Sequence, residues 1–255
     1  ADALNAASDA RGAVRVIVLF IREAKTEAQI ADPLKRAIRI AQASGQQSEF
    51  ESALEGIVRQ HPNGFPQRLA LAEVYKQAGK SEAFIALMQS ATKGSMSTPR
   101  ALEILAERAR EAGDGAAAIA HLRELTRSAA GKPAHFKTLA ELHFERGETA
   151  AAEATIREMV ARAQDPATAW RTAAVLFRKF GMLLQASHAL EKQVESSPND
   201  LAARLELART LIRAEQMALA ERHLKFVVER APAPRVDLGS PIDPAALLGL
   251  ARSPA

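Results

Sequence analysis

The sequence contains no cysteine, which removes disulfides, thiolate metal ligands and cysteine nucleophiles together and leaves oxidising and reducing compartments equally open. Aromatic residues make up only 4% of the chain, with one Trp and one Tyr, so there is little material for stacking nucleic-acid bases. Long apolar runs are also missing. The most apolar stretch, Val16 to Ile21, is enclosed by Arg15 and Arg22 and falls far short of the roughly 20 residues that cross a bilayer. It is equally short for the core of a secretory signal. The chain opens on Ala1 rather than methionine, which is compatible with a fragment or a processed form. No single sign of charge dominates: 34 basic and 30 acidic side chains leave a net charge of +4. Such a balance permits nucleic acid as a partner without implying it.

What is abundant is helix-forming. Hydrophobic residues reach 47%, and Leu, Ala, Glu and Arg recur throughout, so the chain reads as all-α. Glycine then supplies the organising signal. Gly45, Gly79, Gly113, Gly147 and Gly181 follow one another at a constant spacing of 34 residues. A period of that length marks a repeat architecture, whose stability sums over neighbouring units rather than around one central core.

Rows of this period, beginning near Ala31, Phe65, Pro99, Pro133, Ala167 and Leu201, bring like residues into register. Ala72, Ala106, Ala140, Ala174 and Ala208 fill one column, where a small side chain lets a second helix approach closely. Larger apolar groups flank them at helical spacing, as with Phe136 and Leu139 or Trp170 and Phe177. A second stripe follows each glycine: Ala118, Leu122 and Leu125, then Ala152, Ile156 and Met159, and so on through Ala220, Leu224 and Val227. Each row is therefore two antiparallel helices, with glycine closing the first. Pro62, Pro198 and Pro232 end rows, whereas Pro66, Pro99, Pro133 and Pro166 stand where a first helical turn tolerates a missing N–H.

These columns resemble the tetratricopeptide repeat family. The best row, "AWRTAAVLFRKFGMLLQASHALEKQVESSPND", carries Trp170, Ala174, Phe177, Gly181, Ala186, Leu190 and Pro198 in that family's order. The resemblance covers residues 31–232 and implies a right-handed superhelical solenoid of about six helix-turn-helix repeats. Residues 1–30 then form a capping helix or partial repeat, with a β-strand from Val14 to Ile21 as the rival reading. Residues 233–255 form a Pro-rich tail, in which Asp243 and Pro244 can open one short helix. Three departures stand out: Arg68 at a position usually apolar, Glu215 in place of the last glycine, and a second-row turn that reads one residue short.

No catalytic constellation is present. "AGKS" at Ala78 to Ser81 lacks the upstream glycine of a phosphate loop. The six histidines show no HExxH pattern. Ser187 beside His188 has no nucleophile elbow, and His143 falls in a packing column. No cofactor or metal is expected. RNA binding by a helical repeat is one alternative, and a non-catalytic part of a larger assembly protein is another. The Ala- and Arg-rich style resembles bacterial members of the family, including those of envelope and exopolysaccharide systems, in cytoplasm or periplasm alike.

The resemblance implies protein recognition in a concave groove lined by the first helix of each row. In rows three and four the groove flanks are Arg100, Glu103, Glu107, Arg110, Glu111, Lys137, Glu141, Phe144 and Glu145, with acids in the majority. In rows five and six they include Arg171, Arg178, Lys179, Arg209 and Arg213 and no carboxylate. The basic set is expected to meet an acidic or C-terminal carboxylate segment of a protein partner. Family members that clamp chaperone C-termini use Lys and Asn in the groove. Here the matching pairs are Lys35 with Arg39, Lys137 with Glu141 and Arg171 with Val175, so that clamp is not expected.

Overall fold

The computed structural model describes residues 10–93, 98–230 and 249. Among the described residues there are thirteen helices and no strand. The chain divides into two compact units, Ala1–Leu125 and Thr126–Ala255. The first holds α1 (Ala10–Glu23), α2 (Glu27–Ala43), α3 (Gln47–Gln60), α4 (Phe65–Gln77), α5 (Ser81–Ser90), α6 (Pro99–Glu111) and most of α7 (Gly115–Arg127). The second holds α8 (Pro133–Glu145), α9 (Thr149–Ala161), α10 (Pro166–Lys179), α11 (Leu183–Ser196), α12 (Leu201–Arg213) and α13 (Met217–Arg230). Apart from Gly249, the tail helix expected from Asp243 lies outside the described residues.

The N-terminal apolar stretch is a helix, not a strand. Ala13, Val14, Ile17 and Ile21 share one face and are 7% exposed or less, a spacing that only a helical period brings together. The next helix starts earlier than the row boundary near Ala31. Gln29 Oε1 accepts the backbone N–H of Thr26 at 3.1 Å, which satisfies an otherwise orphaned donor and fixes the start at Glu27. Pro33 consequently lies inside α2.

Each row closes in the same way. The five glycines at the period of 34 have φ between 69° and 76°, the left-handed region that a side chain resists. The next residue then donates its N–H to the carbonyl five positions back, as in Gln46 to Ala41, Asp114 to Ala109 and Met182 to Phe177, each at 2.8 Å. This bond pattern answers carbonyls that the helix end leaves orphaned. Glu215 takes the same geometry at φ 60°, and Gln216 bonds Leu211 at 2.8 Å. The second row's turn is not short: Gly79 has φ 70°, and Lys80 donates to Tyr75 at 2.9 Å.

The alanine columns are the close contacts of the fold. Ala72, Ala106, Ala140, Ala174 and Ala208 are at most 4% exposed, and Ala118, Ala152, Ala186 and Ala220 are fully buried. In the second unit, Phe136, Phe144, Ile156, Met159, Leu176, Phe177 and Leu190 pack around them.

Arg68 is buried at its apolar column position. Its Nε and Nη2 donate to the Pro62 carbonyl at 3.2 and 2.5 Å, and its Nη1 donates to Ser90. Arg204, in the same column, donates from Nε and Nη2 to the Pro198 carbonyl, both at 3.0 Å. In these two rows an arginine fork on the carbonyl of the row-ending proline takes the place of an apolar side chain, and Arg204 also lies over the Phe226 ring at 3.7 Å.

Candidate functional site

In the first unit, the first helices α2, α4 and α6 line a groove of about 680 Å³. Its floor is apolar, formed by Ile30, Leu34, Ile38, Leu69, Ala72 and Ile104. The spacing of Ile30, Leu34 and Ile38 is one helical stripe, of which Ile30 and Leu34 are buried and Ile38 partly so. A smaller recess of about 210 Å³ shares Ile38, Gln42 and Gln77 with the groove and reaches Phe50 and Val74. The groove therefore offers a surface for extended chain and a place for one apolar side chain.

Its rim carries Glu27, Lys35, Arg39, Glu73, Lys76 and Arg100. Arg100 is occupied, bonding Glu27 at 3.1 Å and Glu103 at 3.0 Å. The hydrogen bonds to Glu27 and then to Glu103 raise its pKa. Glu73 accepts Gln77 Nε2 at 3.0 Å. Lys35 reaches only Asp32, at 4.0 Å. Arg39 and Lys76 make no ion pair or hydrogen bond among the described residues. With four cations against the two carboxylates Glu27 and Glu73, the net charge of this rim is positive, and Gln42 adds an amide.

The residues singled out in the later rows are arranged differently. Arg178 of α10 bonds Glu206 of α12 at 2.5 Å, and Arg209 bonds the other oxygen of Glu206 at 2.8 Å. Lys179 bonds Glu141 of α8 at 3.0 Å. The Arg178 and Lys179 pairs bridge consecutive first helices within the second unit, and of the two carboxylates only Glu141 belongs to the groove flanks read from the sequence. Arg209 Nε and Nη2 are buried without a partner. Arg171 and Arg213 are exposed, and Arg171 lies close enough to Asp165 to contribute to lowering its pKa, an effect led by hydrogen bonding to Thr168.

Phe144 is not a groove contact. It is 9% exposed, stacked on Phe180 at 4.6 Å and edge-on to Phe177 at 6.2 Å. Among the acidic set, Glu107 pairs with Arg110 at 2.9 Å, and Glu145 is exposed. His143 is buried, with Nδ1 2.6 Å from Glu148 Oε2. Ser187 Oγ donates to the Leu184 carbonyl at 2.8 Å, while His188 meets the edge of Trp170. Among the described residues no group of three or more His, Asp or Glu side chains could hold a metal ion, and no helix is long and apolar enough to cross a membrane.

A family model described as tetratricopeptide repeat matches residues 109–176, a stretch that includes the turns at Gly113 and Gly147 and the column alanines Ala140 and Ala174. Over that stretch the chain carries tetratricopeptide repeat sequence. Comparison with curated proteins finds no match. Among solved structures, Naa15/Naa10 bound to HypK-THB is similar at 20% identity and TM-score 0.52, over 86% of this chain and 32% of that one. The Cut9-Hcn1 hetero-tetramer of the APC/C is similar at 19% identity and TM-score 0.37, over 85% of this chain and 42% of that one. MamA is similar at 16% identity and TM-score 0.44, over 66% of this chain and 96% of that one. The chain spans less than half the length of the first two.

Proposed function

We propose that this repeat protein is a non-enzymatic interaction module, an adaptor or assembly scaffold, and that the groove of its first unit holds an extended partner segment carrying apolar and acidic side chains. The observation that supports this reading is the rim charge. Arg39 and Lys76 stand beside an apolar floor with no carboxylate of their own, and a partner's acid would supply one. An apolar side chain of the same segment would enter the recess at Phe50. The basic set of the later rows supports this reading less, because a partner carboxylate there competes with Glu206 and Glu141 for Arg178, Arg209 and Lys179. Arg171 and Arg213 remain available to an acidic segment.

Photo-crosslinkers placed at Gln42 and Gln77, used in the native host and mapped by mass spectrometry, test this. The expected result is a protein segment of mixed apolar and acidic composition, lost in the Lys35→Glu, Arg39→Glu, Lys76→Glu variant. Crosslinks to RNA, or crosslinks that survive that variant unchanged, would overturn it.

A further inference from the structure

Helix α1 displays a second surface, separate from the groove. Val16, Leu19 and Phe20 are 46%, 47% and 50% exposed, although the opposite face of the same helix is fully packed. Their spacing of i, i+3 and i+4 is the seam that a neighbouring helix occupies in a packed pair. Alongside runs a line of cations. Arg11, Arg15 and Arg22 are separated by four and seven residues, which places them on one edge of the helix, and all three are exposed. Arg15 has no carboxylate partner among the described residues. Arg11 reaches Glu49 only at 3.6 Å, and Arg22 holds its neighbour Glu23. The helix is also fixed in place, because Gln67 of α4 donates to the carbonyls of Ile21, Arg22 and Ala24 at its end. The stripe is a presented surface rather than a fraying terminus.

We infer that α1 is a docking site for an amphipathic helix of a partner protein, one with an apolar seam and a line of carboxylates along one edge. The apolar stripe supplies the seam, and the arginine line selects the acidic edge. Two other occupants fit less well. A membrane would have to take in Glu23, which lies on the apolar side of the helix at seven residues from Val16. A second copy of this chain packed antiparallel on the same face would set arginine line against arginine line.

The test uses the full chain and two synthetic helical peptides of about 16 residues, close to the length of α1. Both carry leucines at i, i+3, i+4 and i+7; one has a line of glutamates on one flank and the other lysines. Fluorescence anisotropy should show the glutamate peptide binding at least about tenfold more tightly than the lysine twin. Binding should weaken by a similar factor in the Leu19→Ser, Phe20→Ser variant and in the Arg15→Glu, Arg22→Glu variant. Both pairs of substitutions are at exposed positions, and unchanged circular dichroism melting confirms that each variant is folded. Equal affinity for the two peptides, no binding of either, or indifference to both variants would overturn the inference. So would sedimentation to a dimer, or adsorption to phosphatidylglycerol vesicles, that the same substitutions abolish.

Discussion

Gln67 holds the end of α1 from 46 residues away: its Nε2 lies 3.0 Å from the carbonyl of Ile21, in a buried contact. The same nitrogen serves Arg22 and Ala24 at 3.0 and 2.8 Å. One amide thus answers the carbonyls of Arg22 and Ala24 at the helix end and shares that of Ile21 with the Ala24 N–H. Replacing it with Gln67→Leu leaves buried acceptors unpaired, at a cost of about 1–3 kcal/mol. Hydrogen exchange should show α1 opening faster while α8 to α13 keep their protection. Unchanged exchange at Val18 to Ile21 would show that packing alone secures the helix.

Glu215 occupies a turn that every earlier row gives to glycine. A side chain at φ 60° costs about 1–2 kcal/mol relative to glycine, partly offset by glycine's greater freedom when unfolded. Glu215→Gly should therefore raise the melting temperature slightly, by an amount corresponding to about 0.5–1 kcal/mol. The reverse change, Gly147→Ala, meets no atom within 4 Å, so its loss of stability would report backbone strain alone. A stabilising Gly147→Ala would contradict this account.

Ala174 is 1% exposed between α10 and its neighbours. Ala174→Glu forces a carboxylate into that contact and should cost roughly 3–5 kcal/mol. Calorimetry that finds the parent melting temperature in the variant would refute the packing described for this column.

His223 supplies a pH dependence. Burial first, then the charges of Arg204 and Arg222, hold its imidazole below the usual range. The unfolded chain, with a pKa of about 6.5, then binds the proton first as pH falls. The stabilising contribution is present above that value and is lost as pH drops through the folded pKa. Melting temperature should decline on acidification from neutral, and His223→Gln should flatten that slope. An identical slope in the variant would assign the effect to other groups.

The repeat was legible because its demands are local. A left-handed turn asks for glycine and a close helix crossing asks for alanine, and both recur at one spacing that can be counted. The site was less legible. Counting charges along one face of α10 could not reveal Glu206, 28 positions from Arg178, because that pairing depends on how adjacent rows are offset. Phe144 was misplaced for a related reason: its flank position meets Phe180, which lies just past the last turn of α10. The apolar stripe of Ile30, Leu34 and Ile38 gives no signal of a groove, since a helical pattern does not distinguish a filled contact from a groove floor. Arg68 did carry a signal. It stands six residues after Pro62, as Arg204 does after Pro198, and that recurrence was available in the sequence.

Every closing turn is completed by atoms of its own row, from the positive φ to the bond five residues back. A duplication or loss of one whole period at such a turn would leave no carbonyl of the turn itself unanswered and would present each neighbour with the same alanine column as before. Heritable changes in the length of this chain can therefore come in units of one helical pair, with the number of rows free to vary while the geometry of each is conserved.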